Sequence, residues 1–373
     1  MYDQIREDTL YLMFYAVVTA MAIIANCYLL FRDGNAFAAD ITPPGRLRRW
    51  AAIFFASIAL NHLWYMPIFF LNSIEDIRLC DLIGGILDFM TFFPLAIVVL
   101  LSMLQDRRRP LWPIAVVMAP LVIGGAFDIA YRSYALLPIS RLYAVLMGIG
   151  LIIYMVRTTR QYGRWLRDNY ADLEHKEVWQ SFVVLAIIMF VFVIYGFAGE
   201  GPVYQYAMQV ICVVLICYLL WRVETLSDLS IPRQQSQLVA KPATTEAEDV
   251  DDYELPQTIH DKIGSLLQQH CIDTRLYLQH DLNIHQLAQA IGTNRFYLSQ
   301  YFSRQGTTYN AYINGLRINH FMSLYHKAVA TQRPFTAKQL AFDSGYRSYK
   351  TFSLVFKQLK RQTVTAWMRD TAK

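Results

Sequence analysis

The sequence "FTAKQLAFDSGYRSYKTFSLVFK", residues 335–357, has the pattern of two short helices separated by a tight turn. Gly345 can adopt the left-handed backbone conformation that such a turn requires, because glycine has no Cβ atom. Ser348 can then cap the second helix with its hydroxyl, and Phe352 and Phe356, four positions apart, face the same side. The stretch therefore predicts a helix-turn-helix unit whose core contains both phenylalanines.

The same pattern occurs earlier in the chain, in "LNIHQLAQAIGTNRFYLSQYFSRQ", residues 282–305. Here Gly292 supplies the turn and Asn294 the cap of a second helix that is apolar on one side. Between the two units, "YNAYINGLRINHFMSLYHKA", residues 309–328, places apolar residues at helical spacing and predicts one long connecting helix. This part of the chain is therefore predicted to be all-α, with two helix-turn-helix units joined by a long helix.

The two units together resemble the DNA-binding domain of the AraC/XylS family of bacterial transcription regulators. The residues that carry the resemblance are Gln286-Leu287-Ala288, Gly292, Tyr297-Leu298-Ser299, Phe302, Tyr312-Ile313, Leu316-Arg317, Leu340-Ala341, Gly345-Tyr346, Ser348, Phe352-Ser353 and Phe356-Lys357. The sequence departs from the family at Leu354, where a basic residue is usual, and at Arg361 and Val364, where a Gly and a Pro are usual. The resemblance implies binding to double-stranded promoter DNA, with RNA polymerase as a further partner.

Helical geometry leaves side chains exposed near the amino end of the second helix of each unit, which a helix in the major groove presents to base edges. The candidate DNA-binding residues are Arg295, Phe296, Ser299 and Gln300 in the first unit, and Arg347, Tyr349, Lys350 and Ser353 in the second. The resemblance points to the same positions. The alternative for each residue is an exposed position without a base contact, because many protein–DNA contacts only position the backbone.

The charge of the carboxyl-terminal part also favours an anionic partner. Residues 257–373 contain fifteen Lys and Arg against five Asp and no Glu, a surplus of ten positive charges, whereas the whole chain has a net charge of +5. Such a surplus can attract a nucleic-acid backbone or the anionic inner leaflet of a membrane, so charge alone leaves both partners open.

The first two thirds of the chain have a different composition. The whole sequence is 55% hydrophobic and 17% charged, and its long apolar windows all lie before residue 223. The windows of membrane-spanning length are residues 9–31, 50–71, 80–104, 111–131, 136–156, 178–198 and 202–222. The first window has no basic head and no small-residue cleavage site, so it is expected to be retained. The sequence therefore predicts a seven-helix transmembrane domain.

The distribution of cations predicts the orientation of these spans. The loops after the first, third and fifth windows contain twelve Lys and Arg, against two in the loops after the second, fourth and sixth. The amino terminus is therefore predicted to lie outside a bacterial inner membrane and the carboxyl-terminal part in the cytoplasm. The predicted domains are a polytopic membrane domain at residues 1–222, a cytoplasmic linker rich in polar residues at 223–256, and the DNA-binding domain at 257–373.

Ionisable residues inside apolar windows are costly and are candidates for function. The candidate signal pocket comprises His62, Asp81, Asp88, Asp128 and Arg141, with Arg141 expected to pair with Asp88 or Asp128. The alternative is a set of interhelical polar contacts and side chains that reach towards the membrane surface.

The sequence is consequently interpreted as a membrane-anchored transcription regulator that senses an unknown small-molecule or protein signal, with homodimerisation as an open option. It contains no phosphate-binding glycine loop, His-Glu-x-x-His motif or nucleophile elbow, so neither an enzymatic activity nor a cofactor is expected. The alternative interpretation is a transporter-like or receptor-like membrane protein whose basic tail acts as a regulatory or interaction module.

Overall fold

The computed structural model describes residues 8–32, 34–39, 41–71, 73–131, 136–198, 202–229 and 257–371. The chain divides into two compact units. The first unit comprises Met1–Tyr162 and Val178–Gln234, and the second comprises Gly163–Glu177 and Gln235–Lys373. The described residues form helices, turns and one isolated β-bridge, in agreement with the predicted all-α class. Most of the predicted linker, residues 230–256, lies outside the described residues.

The first unit is built from long apolar helices. They are α1 (Thr9–Phe31), α2 (Gly45–Tyr65), α3 (Ile74–Met103), α4 (Trp112–Ala130), α5 (Leu137–Asn169, which continues into the second unit), α6 (Trp179–Ala198) and α7 (Pro202–Thr225). Within the described residues, five helices are long and apolar enough to cross a membrane, namely α1, α2, α3, α5 and α7. The apolar stretches of α4 and α6, 112–128 and 179–188, are shorter. The number of spans therefore stays a prediction.

Helix α5 extends beyond the predicted fifth window, which ends at residue 156, to Asn169. Thr158, Tyr162 and Leu166 are buried at a spacing of four residues, so they form one continuous stripe on the helix. The arginines of this region, at positions 157, 160, 164 and 167, lie off that stripe. The basic segment that was predicted to begin a loop therefore continues the helix.

The second unit contains the remaining helices. They are α8 (Gln257–Leu267), α9 (Ile284–Ala290), α10 (Arg295–Arg304), α11 (Tyr309–Ala330), α12 (Ala337–Asp343), α13 (Tyr349–Lys360) and α14 (Val364–Thr371). A π turn, Gln268–Ile272, and a short 3-10 turn, Leu276–Leu278, follow α8. Two short helix pairs, α9–α10 and α12–α13, thus flank the 22-residue helix α11. The helix predicted for residues 309–328 is present as α11.

Side-chain caps define where these helices begin. The Asn294 side chain accepts a hydrogen bond from Tyr297 N at 2.9 Å, and Ser348 Oγ accepts one from Thr351 N at 3.2 Å. Both caps satisfy backbone donors that a helix leaves free in its first turn. Both were predicted from the sequence and are confirmed.

The turn between α12 and α13 depends on a glycine. Gly345 has a φ of +86°, and a Cβ atom at this position would lie 2.7 Å from the Leu278 carbonyl oxygen. Gly292, in the turn between α9 and α10, has a φ of +70° but open space around it. Both glycines provide a left-handed conformation, and Gly345 also allows another segment of backbone to approach closely.

Two hydrophobic clusters form the core of the second unit. The first contains α8, α9, α10 and the start of α11, with Leu282, Leu287, Leu298 and Phe302 fully or almost fully buried. The second contains the rest of α11 with α12, α13 and α14. Helix α11 contributes to both clusters and so connects them.

Two departures from the pattern of the resembled family lie at the end of α13 and the start of α14. Arg361, in place of the usual glycine, adopts a left-handed conformation with a φ of +60° at the end of α13. Val364, in place of the usual proline, is 2% exposed and begins α14. The closing turn therefore forms, although a residue with a side chain has to adopt an unfavourable φ.

Candidate nucleic-acid interface

The four candidate residues of α10 lie in its first two turns. Phe296 is 47% exposed and contacts the Tyr297 ring edge-on, with the ring centroids 5.8 Å apart. Arg295, Ser299 and Gln300 are half-buried. Leu298 and Phe302 face the core, as the sequence predicted. The outer side of α10 therefore combines an exposed aromatic ring with partly accessible polar groups.

The candidate residues around α13 differ from one another in exposure. Arg347 and Lys350 are exposed, and Ser353 is half-buried. Tyr349 is more buried than the sequence interpretation assumed, because its ring packs 5.7 Å from that of Phe352 at the edge of the core. Leu354 is 62% exposed and points away from the core. Arg347 and Lys350 are thus the accessible cations of the second set.

Arg317, on α11, binds the segment after α8 and the turn of the second helix pair. Its guanidinium donates hydrogen bonds to the carbonyl oxygens of Tyr277 at 2.7 Å and Gln279 at 2.8 Å, and lies over the Tyr346 ring at 5.6 Å. Tyr346 directly follows the turn of the second pair. Burial lowers the pKa of Arg317, but the neighbouring Tyr346, Tyr309 and Asp172 oppose that effect. This side chain therefore holds the segment after α8 against the turn between α12 and α13.

Part of this region matches a known protein family. Residues 287–370, from within α9 to within α14, match a family model described as a helix-turn-helix domain. This part of the chain is a DNA-binding domain of a transcription regulator. The match supports the AraC/XylS-type resemblance of the helix-turn-helix domain. No curated protein and no solved structure matches the chain.

Carboxylates of the second unit approach the helix-turn-helix domain near α13. Glu174 Oε2 accepts hydrogen bonds from Ser348 Oγ at 2.6 Å and Thr351 Oγ1 at 2.5 Å. Asp281 forms ion pairs with Lys176 at 3.2 Å and Arg347 at 3.1 Å. Sequence reasoning missed these residues, because a lone acidic residue in a loop has no signal that relates it to a helix far along the chain.

Both carboxylates are stabilised in the ionised form. Partial burial alone would raise the pKa of Glu174, but hydrogen bonds from Ser348 and Thr351 and the charges of His175 and Lys350 outweigh it, so this pKa is lowered. Burial likewise opposes ionisation of Asp281, whereas Lys176 and Arg347 lower its pKa overall. The negative charges beside α13 are therefore present at neutral pH.

The candidate signal-pocket residues belong to the first unit. The Asn61 amide donates to Asp88 Oδ1 at 2.6 Å, Tyr65 donates to Asp88 Oδ2 at 2.8 Å, and the His62 ring contacts Gln209 at 3.1 Å.

The structure places the other pocket candidates differently. Asp128 is buried and accepts a hydrogen bond from Leu136 N at 3.2 Å, which is a local contact between neighbouring helices in sequence. The side chains of Asp81 and Arg141 lie outside the described residues, and with them the expected Arg141 pairing. Among the described residues, no group of three or more His, Cys, Asp or Glu could hold a metal ion.

Proposed function

We propose that this protein is a membrane-anchored transcription regulator whose helix-turn-helix domain binds promoter DNA through α10 and α13. The observation that carries the proposal is the family match over residues 287–370, which coincides with two capped helix pairs on one chain. The second helix of each pair enters a major groove and presents its amino-terminal side chains to base edges. Phosphate contacts from the surplus cations add affinity that does not depend on sequence.

The proposed base-reading residues are those that the sequence indicates, namely Arg295, Phe296, Ser299 and Gln300 on α10, and Arg347, Tyr349, Lys350 and Ser353 at α13. Tyr349 contributes through its outer edge, since its ring is partly packed on the core. RNA polymerase and a second copy of the chain are the further proposed partners.

The apolar helices of the first unit support the membrane part of the proposal. Helices α1, α2, α3, α5 and α7 have the length and hydropathy to cross a bilayer, and α4 and α6 complete the seven proposed spans. The excess of arginines after the odd-numbered spans favours a cytoplasmic helix-turn-helix domain in a bacterial inner membrane. The signal is proposed to act on the first unit, where His62 and Asp88 lie in polar contacts between apolar helices.

Footprinting of the purified full-length protein on captured genomic DNA tests the DNA-binding proposal. We expect two protected segments about 34 Å apart along the duplex, because α10 and α13 read successive major-groove segments. Affinity should fall by about 10³-fold or more between roughly 50 and 200 mM salt if six or more phosphates are contacted. A single short protected segment contradicts the two-helix geometry, and no binding to any duplex supports the interaction-module alternative.

The proposed orientation is tested by reporters fused after Lys373. A reporter that is active only in the cytoplasm should give full signal, and one that requires export should give none, because the helix-turn-helix domain has to reach the chromosome. Matched fusions at residue 132, between the fourth and fifth predicted windows, should give the opposite pattern. A periplasmic signal from the Lys373 fusion contradicts the proposal.

A further inference from the structure

The loop of residues 170–177 follows α5 in the chain and is folded into the second unit. Its first residues are anchored in the core around α9. Ala171 is 2% exposed in that core, and its backbone N–H donates to the Leu282 carbonyl at 3.3 Å. The side-chain amides of Asn310 and Asn314 donate to the Ala171 carbonyl at 2.7 and 2.9 Å. This end of the 170–177 loop is therefore held by the helix-turn-helix domain itself.

The middle of the same loop reaches the start of α13. The Glu174 carboxylate accepts hydrogen bonds from the hydroxyls of Ser348, the cap of α13, and of Thr351 in its first turn. The amino end of a helix carries a partial positive charge and attracts anions, including phosphate. Glu174 thus presents an anion to the end of the helix that has to approach DNA phosphates when α13 enters a groove.

The accessible cations beside α13 are also engaged by protein carboxylates. Arg347 pairs with Asp281, which in turn pairs with Lys176 of the 170–177 loop. Lys350 lies near enough to Glu174 to help lower its pKa. A DNA phosphate and the Glu174 carboxylate therefore favour the same helix end and the same cation, so their binding is mutually exclusive.

We propose that the 170–177 loop is an internal competitor of DNA, which covers the start of α13 until the loop is released. The inference rests on the proposed DNA-binding function and adds its regulation. In the closed form, Glu174 takes the place of a phosphate at Ser348 and Thr351. In the open form the loop leaves α13, and both reading helices contact the duplex.

The position of the loop in the chain supplies a route for the signal. The loop directly continues α5, whose residues 138–169 are long and apolar enough to cross a membrane. A signal that binds more tightly to one arrangement of α5 than to another shifts the balance between the closed and open forms. This route does not depend on residues 230–256, which lie outside the described part of the chain.

Three single substitutions in the full-length protein, reconstituted in lipid nanodiscs, test the proposal. The probe is fluorescently labelled mixed-sequence duplex DNA at fixed salt. Glu174→Gln keeps the size of the side chain but weakens the closed form, so it should bind about tenfold or more tightly than the unchanged protein. Glu177→Gln removes the same charge from an exposed position of the same loop but leaves the hydrogen bonds to Ser348 and Thr351 in place, so it should raise the affinity much less than Glu174→Gln.

Lys176→Gln distinguishes the effect of loop release on DNA affinity from the effect of a changed net charge. Loss of a cation would by itself weaken DNA binding. Loss of the Lys176–Asp281 pair, in contrast, loosens the loop and should therefore raise the affinity for DNA. Hydrogen exchange provides a second measurement, since DNA should speed the exchange of the backbone amides of residues 174–177 in the unchanged protein, whereas the anchored Ala171 amide stays protected.

The outcomes distinguish this inference from the proposed function. An affinity of Glu174→Gln no higher than that of Glu177→Gln, with loop amides that stay protected on DNA, overturns the inference while DNA binding stands. Failure of every variant to bind duplex DNA, with unchanged thermal unfolding, overturns the proposed function and the inference together.

Discussion

Replacement of Arg317 by methionine should lower the free energy of unfolding of the second unit by about 3–5 kcal/mol, because two charge-assisted hydrogen bonds are lost from a buried site. The side chain is 1% exposed, and its partners, the buried carbonyl of Tyr277 and the partly buried carbonyl of Gln279, lose this donor. The contact with the Tyr346 ring is lost as well. Denaturant unfolding followed by hydrogen exchange in α11 measures the effect.

Lys327→Met is the matched control, since it removes a cation from an exposed position on the same helix and should change stability by less than about 0.5 kcal/mol. The free energy of unfolding of Arg317→Lys should lie between those of Arg317→Met and Lys327→Met. An ammonium keeps the charge but cannot reach two carbonyls with the planar geometry of a guanidinium. Equal unfolding midpoints for the Arg317 and Lys327 variants would show that the buried contact does not stabilise the unit.

Local features of the helix-turn-helix domain could be predicted from the sequence, because their causes lie within a few residues of each other. Asn294 and Ser348 cap helices through their own backbone neighbours, and Gly292 and Gly345 adopt positive φ values at the turns. The long apolar windows likewise appear as helices. These are short-range consequences of side-chain chemistry and helical periodicity.

Features that depend on distant contacts could not be predicted in this way. Glu174 and Ser348 are 174 positions apart, and nothing in either neighbourhood indicates that they meet. Arg317 belongs to the family resemblance, but its sequence context does not reveal that it donates to carbonyls near residue 278. Tyr349 was predicted to be a DNA-binding residue from its helical position alone, and its partial burial depends on the ring of Phe352. Tertiary packing decides each of these cases.

Replacement of Phe352 by alanine should destabilise the second helix pair by about 3–5 kcal/mol, because it empties the centre of an aromatic cluster. The Phe352 ring is fully buried and lies 4.5 Å from that of Phe321 and 5.3 Å from that of Tyr346. Loss of this packing releases α13 from α11, whereas the first cluster, around α9 and α10, keeps its own core.

The footprint on DNA should then shrink to the segment contacted by α10, and thermal unfolding should begin at a lower temperature. Leu354→Ala is the matched control: it lies two residues further along the same helix, is 62% exposed, and should alter neither measurement. If Phe352→Ala kept both protected segments at full strength, α13 could not be the second reading helix, since a helix without its core cannot hold side chains in a groove.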